Sequence, residues 1–198
     1  MALSTIGESL ARNEVLRAAL EVFARKGVRK TRVEDLLQAS GIARRTFYKR
    51  FRGKDDVLAQ LYAFATKELI QQIDEARARS QDPLSGLRAA LDTYLEFHLQ
   101  NRVIAKLLIE EATRSESPLH PLRARFRRQL QRELADAFHE LSGRALDPFV
   151  FVAVISGLEG ISLELLRDEP APEDIARARA TVLGLVAAIA QSSEMFTA

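Results

Sequence analysis

Residues 41–54, GIARRTFYKRFRGK, hold six cations (Arg44, Arg45, Lys49, Arg50, Arg52, Lys54), three aromatics and no carboxylate. A solvated helix face usually mixes signs, because opposite charges four residues apart attract and like charges repel. Such a stretch needs a buried anchor and an anionic partner. Helical geometry supplies the anchor. On a helix over 44–51, Phe47 and Phe51 lie about 40° apart and mark the buried side. Lys49 falls opposite them, with Arg45 and Thr46 to either side, and Arg44, Tyr48 and Arg50 occupy the flanks. The cations point outward from a helix held by two phenylalanines.

The segments before it carry the same period. In NEVLRAALEVFARKG, apolar residues at Val15, Leu16, Ala19, Leu20 and Phe23 form one stripe of an amphipathic helix. Gly27 stands where a left-handed C-cap belongs. Thr31-Arg32-Val33-Glu34 fits a capping box opening a short helix over 32–39, with Val33, Leu36 and Leu37 as its apolar members. Ser40-Gly41 ends that helix, since glycine accepts the positive φ of a tight turn. Two short helices joined by a glycine-containing turn, the second presenting cations, describe a helix-turn-helix.

Charge is distributed unevenly along the chain. Residues 1–54 carry 13 Lys/Arg against 5 Asp/Glu, net +8, whereas residues 55–198 carry 16 against 22, net −6. A basic N-terminal module that meets a polyanion, followed by an acidic body, is the expected organisation. A chain of 198 residues with 47% hydrophobic content can bury a substantial core. No cysteine is available for disulfides or thiolate metal sites. The N-terminus lacks an apolar run of signal-peptide length, and no stretch offers eighteen uncharged apolar residues. A soluble, cytoplasmic protein without membrane association is expected.

Beyond Lys54 the punctuation marks longer helices near 54–79, 84–100, 101–114, 119–141, 148–167 and 173–191. Asp82-Pro83 and Asp147-Pro148 read as an N-cap followed by proline in the first turn. Pro172, Glu173 and Asp174 place acids near another helix start. FVFVAVIS (149–156) looks like a strand by local propensity. It continues through Leu158, Ile161, Leu165 and Leu166 at helical spacing, and no second strand is present to pair with it. The expectation is a helix that is apolar nearly all round and buried on most sides.

Taken together, Val15-Leu16-Arg17-Ala18-Ala19, Phe23-Ala24-Arg25-Lys26-Gly27, Thr31-Arg32-Val33-Glu34-Asp35-Leu36, Ala39-Ser40-Gly41-Ile42, Thr46-Phe47-Tyr48-Lys49-Arg50-Phe51, Lys54-Asp55 and Leu58 resemble the DNA-binding domain of the TetR (tetracycline-repressor) family. The resemblance covers residues 13–58; the remainder shares the family's length and all-helical layout. It implies an all-α protein with a three-helix DNA-binding domain over 1–53 and a ligand-binding and dimerisation domain over 54–198. It further implies a homodimer on a palindromic double-stranded operator, released by a small-molecule inducer, with no cofactor and no catalysis. Thr31, Thr46, Tyr48 and Lys54 match family positions that contact phosphates. Ala43 departs from the family's usual Ser, Arg50 from His or Tyr, and Leu37 from Ala.

For base readout, Arg44 and Arg45 are the first candidates, since arginine addresses guanine O6 and N7 with two hydrogen bonds; Lys49 and Arg50 follow. The inducer pocket is expected among the middle helices, at Leu61, Tyr62, Ala65, Tyr94, His98, Leu107, Leu108 and Phe126. Each would serve equally as ordinary core. The last two long helices supply the expected dimer surface: Val154, Gly157, Leu158, Gly160 and Ile161 on one, Val182, Val186 and Ile189 on the other. Arg123, Arg125, Arg127, Arg128 and Arg132 read as a solvated face. His98, His120 and His139 are scattered, without the spacing of a metal site. Gly27 to Thr31 lacks the second glycine of a phosphate loop. The alternative reading is a helical lipid- or protein-binding module whose basic end contacts an anionic surface. That reading requires an apolar face open to insertion, whereas Phe47 and Phe51 belong inside a three-helix core.

Overall fold

The computed structural model describes residues 14–191. Among them are nine helices and no strand: α1 (Glu14–Lys26), α2 (Val33–Ser40), α3 (Arg44–Arg50), α4 (Lys54–Ala78), α5 (Pro83–Gln100), α6 (Arg102–Thr113), α7 (His120–Ser142), α8 (Pro148–Leu165) and α9 (Pro172–Gln191). The described chain packs as two compact units. One contains the residues through Glu68 together with Gln100–Ala124, and the other Leu69–Leu99 together with the residues from Arg125 onward. Helix α4 starts at Lys54, and its residues through Glu68 belong with α1–α3.

In the first unit, α1 buries Val15, Leu16, Ala19, Leu20 and Phe23 as its period requires, and Ala18 and Val22 with them. It packs on α2 and α6. At its end Gly27 takes φ 75° and donates its amide to the Phe23 carbonyl at 2.8 Å, closing the helix. The expected capping box lies one residue further on. Arg32 occupies the N-cap, and its N–H donates to the Asp35 carboxylate at 2.9 Å. Thr31 does not cap α2: its hydroxyl donates to the Gly27 carbonyl at 2.8 Å, which turns it away from the helix it precedes. Gly41 ends α2 at φ 70°, donating to the Leu37 carbonyl at 3.0 Å.

Helix α3 has only seven residues, too few to be stable alone. Tertiary burial holds it. Phe47 and Phe51 are almost wholly buried, with ring centroids 5.3 Å apart, and full burial of one such side chain is worth about 1.5–3 kcal/mol. Phe23, Leu36, Val57, Leu58 and Leu61 of the first unit are buried as well.

The second unit is organised around α8. FVFVAVIS is helical: Pro148 opens α8, and the Asp147 side chain accepts the Phe149 amide at 2.8 Å. Phe151 meets Phe138 of α7 edge to face, with centroids 6.5 Å apart, over Leu146. Arg127 corrects the expectation of a solvated basic run. It pairs with Glu159 and donates to the Ser156 hydroxyl at 2.6 Å, joining α7 to α8 with both charged side chains largely buried.

By length and composition α8 is apolar enough to cross a membrane, but a third of it is buried in the chain. Burial on most sides, as expected from sequence, is therefore corrected. Phe149 is 79% exposed, and Ala153, Ser156 and Gly160 continue that open face along the helix. On α9, which packs against α8, Gly184, Leu185 and Ala188 are exposed. Val154, Leu158, Val182 and Val186, expected to face a partner, are buried in the chain's own core. Gly157, Ile161 and Ile189 are half-buried. A Cβ at Gly157 or Gly160 would meet open space, so no close approach within the chain requires glycine there.

Ala43 is the N-cap of α3 in extended backbone, with no side-chain acceptor for the first amides. Ala43→Ser supplies one and is expected to stabilise the protein by about 0.5–2 kcal/mol. Thermal unfolding of the variant checks this; an unchanged or lower midpoint would show that the α3 amides already have another partner.

Candidate nucleic-acid interface

The turn between α2 and α3, together with α3 itself, forms a cationic projection on the first unit. A seven-residue helix is about 10 Å long, which fits a major groove about 12 Å wide. Arg45, Thr46, Lys49 and Arg50 are exposed on it. Tyr48 is 50% exposed, with its ring edge to face against Phe47 at 5.3 Å. Buried phenylalanines fix the rotation of α3, and that rotation selects which residues face outward.

Arg44 is not free. Its guanidinium pairs with Glu34 of α2 and lies 5.8 Å from the centroid of the Tyr48 ring. The hydrogen bond from Arg44 holds the Glu34 carboxyl below the usual carboxylate range. Asp35 is lowered in the same way by Lys26, whose ammonium lies 2.5 Å from its carboxylate. Both acids of α2 are thereby engaged, leaving Arg45, Lys49 and Arg50 without an acid pair among the described residues. Glu34 is the residue that sequence reasoning missed, because ten residues and a turn separate it from Arg44.

Two expected phosphate contacts are placed differently. Lys54 is half-buried, and its ammonium donates to the Val28 carbonyl at 3.0 Å, tying the start of α4 to the loop after α1. Its remaining protons are still available to an anion. Thr31 is 2% exposed, with its hydroxyl proton committed to the Gly27 carbonyl.

The second unit holds a separate feature, an open-mouthed apolar cavity of about 60 Å³. Of the expected pocket residues, Tyr94 lines it, as does Leu158, which had been expected at the dimer surface. Leu61, Tyr62, Ala65, Leu107 and Leu108 instead lie in the first unit. His98 is buried beneath Tyr94, ring centroids 4.4 Å apart, with Nδ1 2.7 Å from the Tyr94 carbonyl. A carbonyl can only accept, so Nδ1 carries the proton. Burial pushes the imidazole toward its neutral form. Its hydrogen bond thus serves the helix backbone. Phe126 is half-buried on α7.

Comparison with known proteins agrees with this geometry. Residues 15–61 match the family model described as bacterial regulatory proteins, tetR family. The HTH-type transcriptional regulator AcrR of Shigella flexneri is 30% identical over 86 residues, covering 43% of this chain and 40% of that protein. The HTH-type transcriptional repressor KstR2 of Rhodococcus jostii is 30% identical over 92 residues, covering 46% and 45%. The matched stretches thus span about half or less of these curated relatives' own lengths. In fold the likeness is nearly complete. A TetR-family transcriptional regulator of Streptomyces coelicolor superposes with a TM-score of 0.73 at 17% identity, over 94% of this chain and 97% of that one. The sequence of α1–α3 and the start of α4 thus matches the tetR family of bacterial regulatory proteins, and almost the whole length shares its fold with a TetR-family transcriptional regulator.

Proposed function

We propose that this protein is a DNA-binding transcriptional regulator, acting as a repressor in the bacterial cytoplasm. It binds a palindromic operator as a homodimer and is released by a small molecule. The observation that carries the reading is α3, which presents Arg45, Lys49 and Arg50 to solvent from a helix fixed by Phe47 and Phe51. Exposed like charges repel one another, and a phosphate backbone removes that cost while exchanging bound counterions. Repression, the finer part of the reading, is supported by the likeness to KstR2, whose name describes a repressor.

Homodimerisation is supported by the open face of α8 and α9. Ala153, Gly160, Gly184 and Ala188 make an exposed apolar face of small residues from which Phe149 and Leu185 project, suited to close helix–helix contact with a second copy. Dimerisation would set two copies of α3 about one DNA turn, roughly 34 Å, apart, so that each reads one half-site. Helix α4 runs unbroken from Lys54 to Ala78 and includes Ile73 and Arg77 of the cavity wall. A ligand there would release DNA only through its differential affinity for the two states; hundredfold release needs about 2.7 kcal/mol.

The DNA reading is tested by selecting bound fragments from a random duplex pool. The wild type should enrich a palindrome. Arg45→Ala should lose about 1–3 kcal/mol of binding and relax preference at one symmetric pair of positions. An unchanged preference would remove Arg45 from base readout, and no enrichment by the wild type would overturn the DNA reading.

Leu185→Glu tests the dimer. Because Leu185 is 46% exposed, the variant should fold, yet a carboxylate in the interface should shift sedimentation to the monomer and weaken operator binding through lost bivalency. A variant that sediments as a dimer with normal affinity would place the interface elsewhere.

A further inference from the structure

We infer that the cavity of the second unit takes a small amphiphile with an apolar body and a protonated amine, and that Glu133 receives the amine. The inference rests on the reading of this cavity as an effector site and names the chemistry of the effector.

The walls are apolar: Ile73, Leu87, Leu91, Leu130, Leu134 and Ile155 line them. Among the lining residues only Arg77 and Glu133 carry charge. They are unequally committed. Arg77 donates from Nη2 to Glu140 at 3.3 Å. Glu133 accepts at Oε1 from the Gln129 side chain at 3.0 Å, while its Oε2 is buried with no hydrogen-bond donor among the described residues. A buried acceptor left without a donor is costly, and a charged donor repairs it best.

The surrounding charges point the same way. Burial is the main influence on Glu133 and pushes its carboxyl above the ordinary glutamate range; Asp74 adds to this, while Arg77, Arg132 and the Gln129 hydrogen bond oppose it. An ammonium placed against Oε2 would reverse the balance by giving the carboxylate a close counter-ion. A ligand carboxylate meets the opposite situation: it would lie near Glu133, and it would have to compete with Glu140 for Arg77. The apolar walls then supply affinity for the rest of the ligand in proportion to the area buried.

The test uses purified full-length protein without DNA and three probes of equal chain length: octylamine, octanol and octanoate. Calorimetry on the wild type should rank octylamine first and octanoate last, with about tenfold or more between amine and carboxylate. Glu133→Gln keeps the size and the Gln129 contact but removes the charge. It should cut octylamine affinity about tenfold while leaving octanol nearly unchanged. Ala90→Phe, which fills the cavity from α5 and leaves Glu133 in place, should weaken octanol and octylamine alike. The inference is overturned if octanoate binds as well as octylamine, if none of the three binds the wild type, or if Glu133→Gln keeps the full amine preference. Operator binding is measured separately. Octylamine that binds through Glu133 yet leaves operator affinity unchanged would support the amine site and overturn the cavity's regulatory role.

Discussion

Everything the first unit presents to a partner depends on two phenylalanines. A seven-residue helix cannot hold its own backbone in water, because the cost of nucleation exceeds what so few hydrogen bonds return. Phe47 and Phe51 supply the missing stability by burial, and their spacing also sets the rotation of α3 about its axis. Stability and presentation are therefore one constraint. Any substitution that loosens either ring would lower stability and blur the direction in which Arg45 and Lys49 point.

The same economy explains the acids beside the cations. Asp35 satisfies the first orphan amide of α2 and pairs with Lys26, and Glu34 pairs with Arg44. These contacts are exposed, so each is worth little in stability. Their effect is on geometry: they tie Lys26 and Arg44 to α2 and leave Arg45, Lys49 and Arg50 of α3 without an acid partner among the described residues. Arg44 consequently meets an anion from a different starting point than Arg45 does. On the proposed DNA reading it must leave Glu34, or share it, before it can contact a base or phosphate, whereas Arg45 has no acid to leave among the described residues.

Periodicity made much of the fold legible. The two-phenylalanine anchor, the glycine caps at Gly27 and Gly41 and the proline-led start of α8 all rest on contacts within a few residues. What stayed hidden depends on distant partners. Thr31 and Arg32 compete for the start of α2, and the winner is decided by the Gly27 carbonyl, which captures the Thr31 hydroxyl. Lys54 meets Val28 across 26 residues. On α8 and α9, hydrophobicity marked Val154, Leu158, Val182 and Val186 as important without telling which face they occupy. They fill the core, and smaller neighbours face outward.

That last distinction is physical. A helix packed inside one chain needs large side chains to fill volume, so valine and leucine point inward. A face that meets a second helix closely needs small ones, so that the backbones can approach. On α8 and α9 the open face is mostly glycine, alanine and serine, with Phe149 and Leu185 standing out from it as the large apolar groups. Residue size separates the two surfaces of one apolar helix, where hydropathy treats them as equivalent. The same reasoning separates Glu133 from the other acids of the second unit. Composition counts it as one more solvated charge, while its surroundings, apolar walls and a single amide donor, leave one oxygen without a hydrogen-bond donor among the described residues.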